Sequence, residues 1–530
     1  MQTLPKFLFS AMRVFFLSLF FIGTLICQNS PFVVDHQVYY FLQRQETLGN
    51  INGQYSSTLP YTYNQILRML DEVETHRAEL HINDARLLDT FQAELNRDVP
   101  EEDIVFPWQS LRKGGFIKDD TSRTKPFFLS YQKSDALGWI NWSETFRLQY
   151  NGEGTRGYYT DHFGIHGRRG AIDFTTQFTY FRVTKSAEFP NLPDSYKEGY
   201  VLIRDNINWI NWDYPTSSLV YSHADFSLGI HRQPIKWGYS MHNSPILSNN
   251  VYPLPHISWE TQIEHLRYKY IHGRLSGTER PVVDSLNTRR NLSAHRVEFD
   301  ITPNFEFSFS ELIIYAYRDF ELAYLNPVNF LFAEEHVQGD LDNLLMALDF
   351  KWRAAKGITT YGTWLFDELN WFEFFTGWWG NKFVFQLGIR YEPQSNLPSL
   401  SLEYTMARPW TYSHQYPINS FTSAGRVLGL PVGPNSKHLE LASNWQMSPA
   451  VYFNARIEHL IVGDHPGADP LNSYNLVGDF DHRDGTFLVG ELSSTTRWEI
   501  SGVYRISRVI SMALTTTSEG LIESSVKLDW

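Results

Sequence analysis

The chain is poor in three things, and each shortage removes a class of protein. It has one cysteine in 530 residues, Cys27, so neither an internal disulfide framework nor a thiolate metal site is available to it. It is short of positive charge: 45 Lys and Arg stand against 58 Asp and Glu, a formal net charge of −13. That sign repels phosphate backbones on average, so nucleic acid is not an expected partner. Beyond its first 26 residues it has no run near the roughly 18 apolar residues that a membrane-spanning helix needs.

The exception lies at the start. Lys6 and Arg13 precede the uncharged run "VFFLSLFFIGTLI" at 14–26, and "CQNS" follows. This is the layout of a secretory signal peptide, too short for a spanning helix. We expect residues 1–27 to be removed and the mature chain to begin near Gln28. Ile26 stands where a lipoprotein signal needs a small residue, so lipid attachment at Cys27 is not expected.

What the chain has in excess is aromatic side chains: 38 Phe, 29 Tyr and 16 Trp, or 16% of residues, against a mildly polar mean hydropathy of −0.32. A soluble fold so rich in rings would have a plainly apolar balance. A membrane β-barrel, with an apolar outer band, aromatic girdles and a polar lumen, reconciles the two.

Periodicity divides the chain into an N-terminal segment, 28–124, and a strand-rich remainder, 125–530. In the first, Ile66, Leu67, Leu70 and Val73 recur at helical spacing, as do Leu87, Leu88, Phe91 and Leu95 after a possible Asn83 cap. Two amphipathic helices at the periplasmic end are the simplest reading. From about 125 the period becomes two: "INWSETFRLQY" at 140–150 sets Ile140, Trp142, Phe146, Leu148 and Tyr150 against polar alternates, and "FVFQLGIRY" at 383–391 behaves alike. The chain ends on "LIESSVKLDW", where Ile522, Val526, Leu528 and Trp530 share one face. A last strand ending in an aromatic fits the recognition signal read by the outer-membrane assembly machinery, with Trp530 in an interfacial girdle. The fold expected is therefore an all-β membrane barrel: an antiparallel transmembrane β-barrel with a short N-terminal α-helical periplasmic segment, located in the cell outer membrane among its lipids.

Three segments are distinctive: "HRQPIKWGYSMHNSPILSNNVYPLPHISW" at 231–259, "YLNPVNFLFAEEHVQGDLDNLLMALDFKW" at 324–352 and "EYTMARPWTYSHQYPINSFTSAGRVLGLPVGPNS" at 403–436. They resemble the capsule-assembly Wzi family of outer-membrane proteins, and the middle and last segments most closely resemble its branch in Bacteroidota and related bacteria, which includes members associated with gliding motility. The resemblance implies about 18 strands and a lectin-like, non-catalytic role in which capsular or extracellular polysaccharide is held at the cell surface. The alternatives are a porin or transport channel, or a surface barrel for adhesion or gliding.

Sugar rings need flat aromatic faces with polar groups beside them. Trp237, Tyr239 and Tyr252 with Arg232, and Trp410 and Tyr412 with Arg408 and His414, lie among Pro and Asn and supply both. They are the glycan-binding candidates. "DELNWFEFFTGWWGNKF" at 367–383 reads instead as membrane-interface contact. Neither "TDHFGIH" at 160–166 nor "GDFDHRDG" at 478–485 has the setting of a metal loop, and no nucleophile elbow is present. We expect no catalytic residue, no metal and no cofactor.

Overall fold

A strand that crosses hydrocarbon must pair both of its edges, and a sheet meets this condition only by closing on itself. The structure is a computed structural model that describes residues 31–32, 36–52, 57–95, 129–133, 136–189, 202–223, 225–277, 289–480, 482–483, 487–507 and 509–529. Residues 1–30, with the expected signal peptide, and Trp530 lie outside the described residues, as do parts of 478–485.

Eighteen antiparallel strands close into a barrel. They are β1 (Ala136–Tyr150), β2 (Thr155–Arg169), β3 (Ile172–Thr184), β4 (Trp209–His223), β5 (Phe226–Gln233), β6 (Leu254–Ile263), β7 (Leu266–Leu275), β8 (Arg290–Thr302), β9 (Phe305–Tyr315), β10 (Asn343–Ala355), β11 (Ile358–Glu368), β12 (Lys382–Tyr391), β13 (Leu400–Ala407), β14 (Ser436–Ser448), β15 (Val451–Asp464), β16 (Glu491–Arg505), β17 (Ile510–Thr517) and β18 (Ile522–Asp529). Consecutive strands pair, and β18 closes the ring against β1 from Ile522↔Tyr150 to Asp529↔Ser143.

The period of two produces the wall. Phe146, Leu148 and Tyr150 of β1 are exposed outside while Ser143 and Gln149 are buried inside, and β12 sets Phe385, Leu387, Ile389 and Tyr391 outside against Lys382 and Gln386 within. Such outward faces form the apolar band of an outer-membrane barrel, and the protein is one. Tight turns such as Gly170–Ala171 and Glu264–His265 mark the periplasmic end. Long segments such as 234–253, 316–342, 408–435 and 465–490 mark the extracellular end.

The N-terminal segment contains three helices among its described residues: α1 (Val38–Leu48), α2 (Tyr63–Thr75) and α3 (Ile82–Leu95). The stripe was legible, since Ile66, Leu70, Val73, Leu87, Leu88, Phe91 and Leu95 are all buried in one core with Leu137 and Trp139 of the barrel. α1 was not foreseen, and the Asn83 cap is corrected. The helix begins at Ile82, and the Asn83 amide donates to His81 Nδ1 at 3.2 Å. α2 has a reciprocal capping box between Thr62 and Gln65. The bundle is fastened under the barrel: Arg44 bridges Asp84 at 3.1 Å to Glu392 at 3.2 Å, and Asn83 Nδ2 donates to the Met447 carbonyl.

Inside the barrel a charged network ties the wall to this segment. Arg296, fully buried, reaches Asp349 at 2.6 Å, Glu298 at 2.8 Å and Ser57 Oγ at 2.5 Å, while Arg267 holds Glu298 at 2.9 Å and Asp300 at 2.7 Å. Buried charges persist only when paired in this way, and removing one partner strands the others. Arg296→Met is expected to cost roughly 3–5 kcal/mol, seen as a lower thermal midpoint in detergent, with partial recovery when Asp349→Asn is added. An unchanged midpoint in the single variant would show that the network is incidental.

Candidate functional site

Three segments leave the wall and meet inside the barrel. Residues Thr58 and Leu59 pair with Trp237 and Lys236, which pair in turn with Leu247 and Ser248, giving a small three-stranded sheet within the lumen. The 234–253 loop can make this reversal because Gly238 adopts φ +112, and a Cβ there would meet Ser244 Oγ at 2.7 Å. Its polar groups are directed at the wall. The Tyr239 hydroxyl donates to Glu306 at 2.5 Å, Asn243 Nδ2 donates to Glu440 at 3.0 Å, and Gln386 Nε2 donates to the Asn243 carbonyl at 2.8 Å.

The 408–435 loop closes over it. Trp410 and Tyr412 both have positive φ, +66 and +71, which costs a bulky residue about 1–3 kcal/mol and persists only where the surroundings dictate it. Here they do. The Tyr412 amide donates to Asp367 at 2.7 Å, its hydroxyl donates to the Pro245 carbonyl at 2.7 Å, and the Trp410 amide donates to the Gly467 carbonyl at 2.8 Å. Trp237, Ile246, Leu247, Tyr412, Phe421, Leu428 and Leu430 then pack with inward-facing Ile271, Leu292, Leu312, Leu345, Leu365 and Val384 as one core. The upper lumen on this side of the barrel is thus a dry, filled space. Below it, cavities of about 330 Å³ beside Gln65, Arg68 and Lys269 and about 320 Å³ beside Tyr63, Trp139 and His162 separate the helices from the wall.

This geometry corrects the expected glycan contacts. Trp237 and Tyr412 are wholly buried, and Tyr239, Tyr252 and Trp410 nearly so, so their faces are spent on packing and present nothing for a sugar to stack on. Arg408 is buried over the rings of Phe383 and Phe487. Arg232, between Ser217 and Pro255 on β5, faces away from His231, which bonds Ser218 and Ser258 in the lumen. The candidates do not converge on one open site. Burial pushes the His414 imidazole down to about 4, helped by Lys382. It likewise pushes the Lys236 ammonium down to about 7, opposed by Glu403, while Lys236 Nζ donates to the Met241 carbonyl at 2.9 Å.

The rings that remain open lie above the plug. His414 contacts Tyr416 and Tyr474 with centroids 5.6 and 6.0 Å apart, and Trp379 contacts Tyr474 at 5.8 Å and Phe480 at 5.5 Å. Trp378 and Trp379 both donate their indole N–H to the Phe480 carbonyl. Tyr416 and Phe480 are exposed, Trp378 and Tyr474 are half-buried, and Lys382 Nζ lies 4.0 Å under the Tyr474 ring. Three extracellular loops, 369–381, 408–435 and 465–490, thereby share one aromatic surface. Sequence reasoning missed Tyr416, Tyr474 and Phe480, because rings 60 residues apart carry no common period. It assigned Trp378 and Trp379 to the membrane interface, whereas they face another loop.

One group among the described residues has metal-ligand character: His438, Glu440 and Glu458 bring ligand atoms within 4.8 Å of one another. Glu440 is already held by His242 at 3.0 Å and Asn243 at 3.0 Å, and His438 contacts Glu458 at 3.3 Å. Glu440 thus fastens the plug loop to β14, and His438 ties β14 to Glu458 of β15.

The fold and the inward loops define a class, the outer-membrane β-barrels whose interior is partly occupied by their own chain. No family model matches this sequence, and no curated protein matches it. Among solved structures it is similar to Wzi of Escherichia coli, an outer membrane protein involved in group 1 capsule assembly and described as a carbohydrate-binding β-barrel. The TM-score is 0.58 at 12% identity, over 96% of this chain and 99% of that one. OprD of Pseudomonas aeruginosa matches with a TM-score of 0.40 at 12% identity over 74% of this chain and 94% of that one. OccAB4 of Acinetobacter baumannii gives 0.40 at 9% identity over 75% and 98%.

Two outcomes follow from the plug. Trp237→Ala removes a fully buried ring, a loss of about 3–5 kcal/mol, and should make the 234–253 loop sensitive to protease while the barrel itself stays resistant. Resistance equal to wild type contradicts the packing described. Lys236 is disfavoured as a cation when folded, so the unfolded chain binds more protons between its folded value of about 7 and the ordinary 10.5, and stability rises with pH across that window. Thermal midpoints at pH 7 and pH 10 should therefore differ less for Lys236→Met than for wild type. Equal differences would mean that the ammonium is solvated.

Proposed function

We propose that this protein binds and retains a capsular or extracellular polysaccharide at the cell surface, as a non-catalytic, lectin-like barrel of the capsule-assembly Wzi type. One observation carries the reading: an aromatic surface built from three extracellular loops sits above a plug that packs the β6–β13 side of the lumen. The half-open rings Tyr474 and Trp378 with exposed Tyr416 and Phe480, and Arg483 and Glu373 at hand, offer what a sugar needs, apolar faces flanked by hydrogen-bonding groups. The Arg483–Glu373 pair at 3.0 Å joins two of the loops and orients both. The likeness to Wzi over 96% of the chain supports the reading at the level of fold. Membrane insertion we assign to the assembly machinery that reads a terminal strand such as β18 with Trp530.

The test is a pull-down with detergent-purified protein and polysaccharide extracted from the native cell surface. Each lost stacking ring is worth about 0.5–1.5 kcal/mol, so Tyr416→Ala with Tyr474→Ala should weaken binding roughly tenfold or more by that scale. Heat-modifiable migration, the mark of an intact barrel, should persist. Wild-type protein that captures no polysaccharide, or a double variant that captures as much as wild type, ends this reading.

A further inference from the structure

The longest barrel segment without a place in the plug is 316–342, between β9 and β10. It does not arch over the mouth. Its two short helices, α4 (Leu322–Leu325) and α5 (Leu331–Val337), fold down against the outer wall. There Tyr324 and Leu331 bury themselves with Ile313, Tyr315 and Leu344. These wall residues face outward, because their chain neighbours Leu312, Ile314 and Leu345 belong to the lumen core.

The wall beneath is unlike the rest of the band. The paired row Tyr270↔His295↔Glu311 faces outward, and His295 Nε2 meets Glu311 at 2.8 Å. Polar groups of this kind are intolerable against hydrocarbon unless they are satisfied. The segment satisfies most of them with its backbone. Tyr270 and Ser293 hydroxyls both donate to the Tyr324 carbonyl at 2.7 Å, Tyr268 donates to the Pro327 carbonyl, Asn291 Nδ2 donates to the Asp319 carbonyl at 2.7 Å, and the Leu331 amide donates to Glu311 at 3.1 Å.

Depth follows from strand length. β9 has 11 residues, about what a tilted strand needs to cross a bilayer. Its periplasmic part presents Phe305, Phe307 and Phe309, and its extracellular part, Glu311 to Tyr315, is the part covered. The segment therefore lies beside the outer-leaflet half of the wall. Its far side is apolar: Leu322 is 80% exposed, Phe330 71% and Val337 78%. The neighbouring 369–381 loop continues this face, packing Phe374 on Trp364 and Phe383 while leaving Phe372 and Phe375 more than nine-tenths exposed. The apolar face is thus continuous with the lipid-facing band of the barrel.

We infer that residues 316–342 form a lipid-facing flap, embedded in the outer leaflet, whose apolar side is occupied by acyl chains and whose inner side seals a polar seam of the barrel wall. This inference stands apart from the glycan reading, which uses none of residues 316–342.

Spin labels test it directly, because removal of Cys27 leaves no other thiol. On a Cys27→Ser background, Phe330→Cys and Val337→Cys are labelled with a nitroxide in full-length protein reconstituted into phospholipid vesicles. Leu387→Cys on the outer wall of β12 is the lipid reference, and Asn475→Cys in the exposed 465–490 loop is the water reference. The flap labels should match Leu387, with access to oxygen several-fold greater relative to a soluble nickel chelate than at Asn475. Leu322→Cys supplies the same reading should either flap variant fail to fold. Nickel access equal to that at Asn475 overturns the inference and leaves the face as a docking surface for another protein.

Discussion

Everything in this molecule answers to one constraint, that no backbone N–H or C=O may go unpaired in hydrocarbon. Closure of β18 on β1 meets it for the wall. Closure at eighteen strands creates a second problem, since a ring of this size encloses more space than its own inward side chains can fill. The chain solves that with two different chemistries stacked in one lumen. Toward the periplasm, Arg296, Arg267, Glu298 and Asp349 form a buried, paired network with Ser57. Toward the outside, Trp237, Tyr412 and Leu428 pack with inward-facing Leu292, Leu345 and Val384 as in an ordinary protein core. The plug is thereby both pinned and dry.

The plug fills the lumen on the β6–β13 side and leaves the extracellular loops above it as the face proposed to bind. A wall with inward Leu and Ile gives an entering polar solute no compensation for lost water. The strained backbone at Trp410 and Tyr412 is the hinge of this arrangement, since it turns Tyr412 down into the core while Tyr416, four residues on, stays open above it. Aromatic residues in one loop thus serve two ends, the anchor below and the exposed ring above.

Much of this was legible beforehand, for a physical reason. A two-residue period and a helical stripe are local patterns, so the walls of β1 and β12 and the buried faces of α2 and α3 could be read from spacing alone. What the spacing could not carry was the inward course of loops. Tyr239 and Tyr412 are aromatic rings among Pro and Asn, a description that fits an exposed stacking face and a buried anchor equally well, and only the partners Glu306, Asp367 and Pro245, contributed from far along the chain, decide between them. The same holds for the third helix, α1, whose stripe is interrupted by buried Gln45 and Thr47.

The central claim is that the plug packed against β6 to β13 blocks passage through the barrel. Stepwise conductance of the purified wild-type protein in planar lipid bilayers measures this most directly. The account predicts insertion without persistent open steps, at both polarities and in high salt. Stable, reproducible steps of the size given by open barrels of this strand number would contradict it and return the protein to the diffusion channels.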